Sequence, residues 1–355
     1  MELKRFNCGK MKIIIMELLY HHECLGYPHK YFVEKGCDVK VILGEYVFDK
    51  LDQDFKVDYI LPQKFRKKWL SKGGISKLVY FFKEFNEIYK NIQLIKHILK
   101  NEKPDYLYIN TIDNPFLIPL WFYLLFDLTT KKIYVVHRTD LKYGENRSII
   151  KTFLNQIIYT LFKKAHALVF LAEYLDIPYI HSKKLYFNNR TIEKNNEKKY
   201  DDITFVIPGV MNLKERDYKT IFATFKELLD KKLVLETEIR IKLLTKNTKD
   251  LEDIMNNYGL MNVVDTYDLY VPEELYKKIM KKSHLCILPT YKNSNYGKYK
   301  ISGAWGDAIA FGIPILIPDW YAENHNFGEN VIRYNETNIA EKIIEFIKNS
   351  KFHNK

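Results

Sequence analysis

The chain has only four cysteines, Cys8, Cys24, Cys37 and Cys286, and no two of them form a CxxC pair. That excludes the common zinc-ribbon and dithiol patterns and predicts free thiols in a reducing, cytoplasmic compartment. A membrane-spanning run is also missing. The longest apolar stretch, Pro115–Leu128, carries only Asp127 as a charge but falls short of the ~20 residues a spanning helix needs. It is expected to be a buried or an interfacial helix. No secretory signal is expected, because MELKRFNCGK is polar and the apolar run Met11–Tyr20 reads as a short strand. Zinc-finger spacing, the aromatic strand signature of an RNA-binding domain and a long Arg-rich tract are all absent, so nucleic acid is not an expected partner.

What is present is a chain of 355 residues, 47% hydrophobic and 28% charged. That balance belongs to a globular protein, and the length suits two α/β lobes, each with its own core. The 27 Tyr and 22 Phe are spread along the whole chain and read as compositional bias. The net charge of +12 is mostly lysine scattered over helix faces, which reads first as a solvated surface. One cluster is denser: Lys64-Phe65-Arg66-Lys67-Lys68-Trp69-Leu70-Ser71-Lys72. Cations mixed with Phe and Trp suit an anionic membrane surface. The cluster reads equally as a plain basic loop, so the expected localisation is cytoplasmic, with a peripheral place at the inner face of the membrane as the alternative.

Along the chain, short β-prone runs alternate with helical patterns. Strand 12–19, a helix around Leu25–Lys35 and strand Asp38–Leu43 form a βαβ unit, the start of a parallel sheet. The alternation continues with helix Ser76–Asn101, strand Asp105–Asn110, the apolar helix near Pro115–Leu128, strand Lys132–His137, helix Arg147–Lys164 and strand Ala167–Ala172. The Asn, Lys and Glu-rich stretch Lys183–Asp202 reads as a linker. A second series follows, from strand Ile203–Ile207 to strand Ile313–Pro318, and Asn338–Asn349 is amphipathic. The expected fold class is α/β: two doubly wound Rossmann-like lobes facing a central cleft. Residues 11–190 would form the N-terminal lobe, 200–335 the C-terminal lobe and 336–355 a helix and tail.

The most informative stretch is KYKISGAWGDAIAFGIPILIP, Lys298–Pro318. Ser302 is a suitable N-cap, Gly303 allows close backbone approach, and a helix begins at once. Such a helix start offers N–H groups and the positive dipole end to an anion. Asp307, one turn further in, is placed to accept hydrogen bonds from ribose hydroxyls. Read without any relative, the same residues describe an ordinary helix entering a strand.

The stretch resembles the donor-binding segment of retaining glycosyltransferases of the two-lobed B-type fold, most of all glycosyltransferase family four. There a Glu, seven residues, a second Glu and then Ala-x-Ala-x-Gly-x-Pro line the nucleotide-sugar. Asp307-Ala308-Ile309-Ala310-Phe311-Gly312-Ile313-Pro314 matches the second half. By that register the backbone of Ser302 and Gly303 would hold the diphosphate, and the first carboxylate position falls on Tyr299, a departure from the family. A second resemblance lies at Phe205-Val206-Ile207-Pro208-Gly209, followed by Lys214 and Arg216. The family clamps the donor diphosphate with basic side chains after that Gly. Arg216 is the first candidate because guanidinium grips phosphate bidentately, and Lys214 the second. The family's usual Arg directly after the Gly is Val210 here. The segment from Val263 to Val271 would contact the base, and Leu285–Thr290 matches a strand of the family while reading equally as a core strand.

In the first lobe, His137 ends a strand at the sheet's carboxyl edge, where open α/β sheets place ligands. The resemblance makes it a donor of hydrogen bonds to the leaving phosphate or a sugar hydroxyl, with Asp140 as a partner or a turn residue. His21, His22 and Glu23, followed by Gly26, occupy the first strand-to-helix loop, where the family contacts acceptor or phosphate. No metal site is expected there, since adjacent His side chains diverge and no third ligand is evident. The resemblance thus implies transfer from a nucleotide-sugar donor to a glycan or lipid-linked acceptor, with retention and without metal or cofactor, in surface polysaccharide or glycoconjugate synthesis. Two alternatives stay open: a non-catalytic nucleotide- or glycan-binding member of the fold, favoured by Tyr299, and a nucleotide-sugar epimerase.

Overall fold

Strands covered by helices on both faces must be apolar along their whole length, and this chain supplies two sets of them. The computed structural model describes residues 11–51, 54–62, 75–140, 149–177, 180–192, 195, 197–269 and 271–353. Cys8, the Lys64–Lys72 cluster and Tyr270 lie outside the described residues. The chain divides into two compact units, Met1–Thr191 and Ile192–Lys355.

In the first unit the elements run β1 (Lys12–Glu17), α1 (Gly26–Glu34), β2 (Asp38–Gly44), α2 (Glu45–Phe48), β3 (Tyr59–Leu61), α3 (Ile75–Glu102), β4 (Tyr106–Ile109), α4 (Ile118–Phe126), β5 (Lys131–Val136), α5 (Ile149–Lys163), β6 (Ala167–Phe170) and β7 (Lys183–Tyr186). The seven strands are parallel, in the order β3-β2-β1-β4-β5-β6-β7. The order reverses beside β1, so the carboxyl ends of β1 and β4 flank a topological switch point.

The second unit runs β8 (Ile203–Pro208), α6 (Tyr218–Asp230), β9 (Ile239–Lys246), α7 (Lys249–Tyr258), β10 (Val264–Tyr267), α8 (Glu273–Lys282), β11 (Leu285–Ile287), α9 (Gly303–Ala310), β12 (Ile315–Pro318), β13 (Val331–Tyr334) and α10 (Ile339–His353). Its sheet is parallel too, in the order β10-β9-β8-β11-β12-β13. Phe205, Ile207, Phe222, Phe225, Ile241 and Leu285 sit in its core, and Ile339, Ile343 and Ile347 anchor α10 to the same core. The architecture is the expected pair of doubly wound α/β lobes.

The boundaries shift in three places. Residues 183–186, read above as linker, are β7 at the edge of the first sheet. Tyr59–Leu61 and Val331–Tyr334 add edge strands that the hydrophobic pattern did not announce. No helix among the described residues is long and apolar enough to cross a membrane.

Candidate functional site

In the second unit, β8 is buried from end to end and stops at Pro208-Gly209. Gly209 has φ +101°, which an L side chain rarely adopts, and a Cβ added there would lie 2.5 Å from Arg216 Nη2. The Arg216 guanidinium is therefore laid across the glycine. Its Nη1 donates to the carbonyl of Pro208 at 2.7 Å, and the residue is only 7% exposed. Two hydrogen bonds stitch its loop to the chain beyond β11: Asp217 N–H to Pro289 O (2.9 Å) and Tyr291 N–H to Glu215 O (3.1 Å). Arg216 also forms an isolated antiparallel bridge with Thr290. Among the described residues, no carboxylate pairs with this buried cation. Beside it, the buried Thr290 Oγ1 has no hydrogen-bond partner. A buried guanidinium without a counter-ion is costly unless an anion completes it.

The third piece is α9. Ser302 occupies the N-cap position and is 2% exposed, but its side chain makes no capping bond, contrary to the expectation; its N–H reaches Tyr321 Oη at 3.3 Å. Gly303 is exposed, with open space where a side chain would stand. Asp307 is buried, and its Oδ2 accepts the Tyr276 hydroxyl of α8 at 2.6 Å. Cys286 in β11 connects these parts. Its thiol is pushed far up, first by burial and then by the Asp307 charge, with Arg216 opposing, so both charged groups flank that strand. Lys214 is exposed and in no ion pair among the described residues, while Tyr299 lies at the rim of the preceding turn.

In the first unit, Glu17 closes β1 as a buried carboxylate. It accepts the N–H groups of Leu19 (2.7 Å) and Tyr20 (3.2 Å), the Asn110 amide (2.8 Å) and the Thr111 hydroxyl (2.5 Å). That ties the loop after β1 to the end of β4. The loop delivers His21 onto His137: the two imidazoles stack with centroids 4.0 Å apart and planes 10° apart. His137 Nε2 lies 2.7 Å from the Asn110 carbonyl. A carbonyl only accepts, so Nε2 carries the proton, and in the neutral ring Nδ1 is an acceptor. Burial, then the neighbouring His21, pushes His137 down to about 4. His137 is therefore a neutral acceptor rather than the donor expected from the resemblance.

The donor is His21. Its Nδ1 meets Glu23 Oε1 at 2.9 Å. Burial works against its charge, but the Glu23 contact, with Glu17 and Asp113 nearby, outweighs burial and holds the imidazole above its ordinary value. Glu23 is held down to about 2 against its own burial by the two histidines. His22 sits at the rim, its Nδ1 3.4 Å from Glu23 Oε2. Gly26 opens α1, where an added Cβ would lie 2.8 Å from Thr191 Oγ1, so it is a packing position. Asp140 is taken by Arg138 in a two-pronged ion pair and does not serve His137. The ligand atoms of His21, Cys24 and His137 come within 4.8 Å of one another, a third ligand the sequence did not reveal. Yet an imidazole-bound metal lies in the ring plane at ~2.1 Å, and two stacked, nearly parallel rings with centroids 4.0 Å apart share no such point.

No family model and no curated protein matches this sequence. Solved structures do match in fold. Sucrose-phosphate synthase from Thermosynechococcus elongatus aligns with a TM-score of 0.58 at 11% identity, over 96% of this chain and 89% of that one. An α-glucosyltransferase in complex with UDP-glucose and DNA gives 0.56 at 13% identity, over 96% and 90%. The UDP-GlcNAc 2-epimerase of Methanocaldococcus jannaschii gives 0.50 at 12% identity, over 95% and 92%. The chain has the two-lobed B-type glycosyltransferase fold. At such identity the likeness extends to the fold and stops there.

Proposed function

We propose that this protein is a glycosyltransferase that takes its sugar from a nucleoside diphosphate donor bound in the second unit. One observation carries the reading: the buried Arg216, without a carboxylate partner, lies across Gly209 next to the unpartnered Thr290 hydroxyl. Diphosphate oxygens would complete both groups, and the start of α9 adds its dipole. Asp307, oriented by Tyr276, would accept the ribose hydroxyls. The UDP and UDP-glucose bound by proteins of similar structure make UDP the first nucleotide to test.

The positive groups would meet the charge that develops on the departing diphosphate, the electrostatic part of catalysis. In the first unit, His137 Nδ1 would accept from, and His21 would donate to, hydroxyl groups of the acceptor. The resemblance of the Asp307–Pro314 segment supports transfer with retention to a glycan or lipid-linked acceptor, in surface polysaccharide or glycoconjugate synthesis. Neither metal nor cofactor has a part in this reading.

The experiment is titration calorimetry with UDP, followed by NMR of UDP-glucose and UDP-GlcNAc incubated with the protein. Saturable UDP binding and slow release of the sugar, with its anomeric configuration retained, are expected. Isomerisation at C2 of the sugar would instead establish an epimerase. Binding without turnover on any donor would point to the non-catalytic role that Tyr299, standing at a carboxylate position, suggests.

A further inference from the structure

A helix that packs on a sheet keeps one apolar stripe and one polar face. α4 does not: Ile118–Phe126 reads IPLWFYLLF, apolar all round. Leu120, Trp121 and Leu124 face the core, which leaves Phe122 and Phe126 outward, the latter 79% exposed, with Leu128 just beyond at 87%. α4 packs beside α3, and between them runs a groove of about 590 Å³ lined by Tyr89, Ile92, Phe122, Tyr123 and Phe126, with Lys96 at its margin. The Lys96 ammonium stands 5.3 Å from the Tyr123 ring. Asp127, also on the wall, is neutralised by Lys132 at 3.0 Å.

The surroundings are cationic. Lys83 and Lys90 follow Phe82 and Tyr89 by one position, so helical periodicity sets them along the outward flank of the aromatic stripe, and both are exposed. Lys100 continues the line one turn after Lys96. None of these four lysines has a carboxylate partner among the described residues. Protruding aromatics rimmed by unmatched cations are what an anionic bilayer accommodates: rings enter the headgroup layer and ammonium groups stay with the phosphates. A second copy of the chain fits less well, since a two-fold pairing would bring the same lysines face to face. A small apolar ligand fits less well too, because Phe126 and Leu128 project outward rather than enclose space.

We infer that the α3–α4 surface is a membrane-docking face for an anionic bilayer. This is independent of the donor site and of the Lys64–Lys72 cluster. Vesicle flotation of the full chain tests it, with phosphatidylcholine vesicles with and without phosphatidylglycerol, at low and high salt. The chain should float with the anionic vesicles at low salt. The Phe122→Ser/Phe126→Ser variant should lose roughly tenfold or more of that retention, and Phe126→Ser alone should lose part of it. Lys83→Glu/Lys90→Glu should weaken it with a flatter salt dependence.

The inference is overturned if the wild-type chain stays unbound, or if the Phe variants float as well as the wild type while their melting temperatures are unchanged. It is also overturned if those variants turn a dimer into a monomer in sedimentation and leave flotation intact. UDP calorimetry on the same variants should be unaltered. Absence of UDP binding throughout would sink the transferase reading and leave the flotation result standing.

Discussion

Arg216 and Asp307 are both buried, and they differ in what already satisfies them. Asp307 has Tyr276, whereas Arg216 has one backbone carbonyl and no carboxylate among the described residues. Arg216→Ala should therefore weaken UDP binding by ~1.5–3 kcal/mol, the range for hydrogen bonds to charged groups, as read by calorimetry; equal affinity would remove Arg216 from the site. Tyr276→Phe removes the hydroxyl that donates to Asp307. It should raise the donor KM several-fold and leave kcat nearly unchanged, and the reverse split would give Tyr276 a different role. Arg216 was a candidate beforehand, since guanidinium after a strand-ending glycine suggests phosphate. Thr290 and Tyr276 were not, because a hydroxyl becomes an orphan or a partner only when distant segments close over it. His137 was proposed from position, and its hydrogen-bonding sense was out of reach because the Asn110 carbonyl that fixes its tautomer lies 27 residues away in sequence.

At the scale of elements, caps and turns decide how firmly those residues are held. Asp217 caps α6 through Thr220 N–H at 3.1 Å and the Thr220 hydroxyl at 2.7 Å, directly after Arg216. Asp217→Ala should cost about 1 kcal/mol of stability and, by loosening the loop, weaken UDP binding as well; denaturation and calorimetry on one preparation check both. Gly209→Ala should be worse. It meets a positive φ and collides with Arg216, so a loss of ~1–3 kcal/mol from backbone strain should accompany loss of nucleotide binding. The strands that escaped the sequence reading share one trait. β3, β7 and β13 are all edge strands, short and paired on one side only. An edge strand needs no continuous apolar run and is protected by charge, as Lys183 and Lys184 are placed in β7. Interior strands such as Ile203–Pro208 are buried on both faces, and their unbroken hydrophobicity made them plain.

For the whole molecule, pH should act through buried neutral imidazoles in both units. His284 accepts Thr204 N–H at 3.1 Å, and burial, then Lys199, lowers it to about 4 from 6.5. A lowered folded value means that the stability it contributes is present above 6.5 and is lost as pH falls through about 4. The full loss would approach ~3 kcal/mol. Melts across that range should show the decline, and His284→Gln should flatten it; an unchanged slope would clear His284 of the effect. Nucleotide should act on the second unit alone. UDP at ~100 times its Kd should stabilise by about 2.7 kcal/mol, with slowed hydrogen exchange at 203–217 and 298–310 and none at His21 or His137. Parallel α/β order, two series of strands and the diphosphate candidates came from sequence alone, because apolar periodicity and glycine placement are local properties. Edge strands, the burial of Arg216 without a carboxylate among the described residues, the stacked histidines and the aromatic face of α3 and α4 came only with the tertiary structure. Each depends on which distant group fills, or fails to fill, the space beside a side chain.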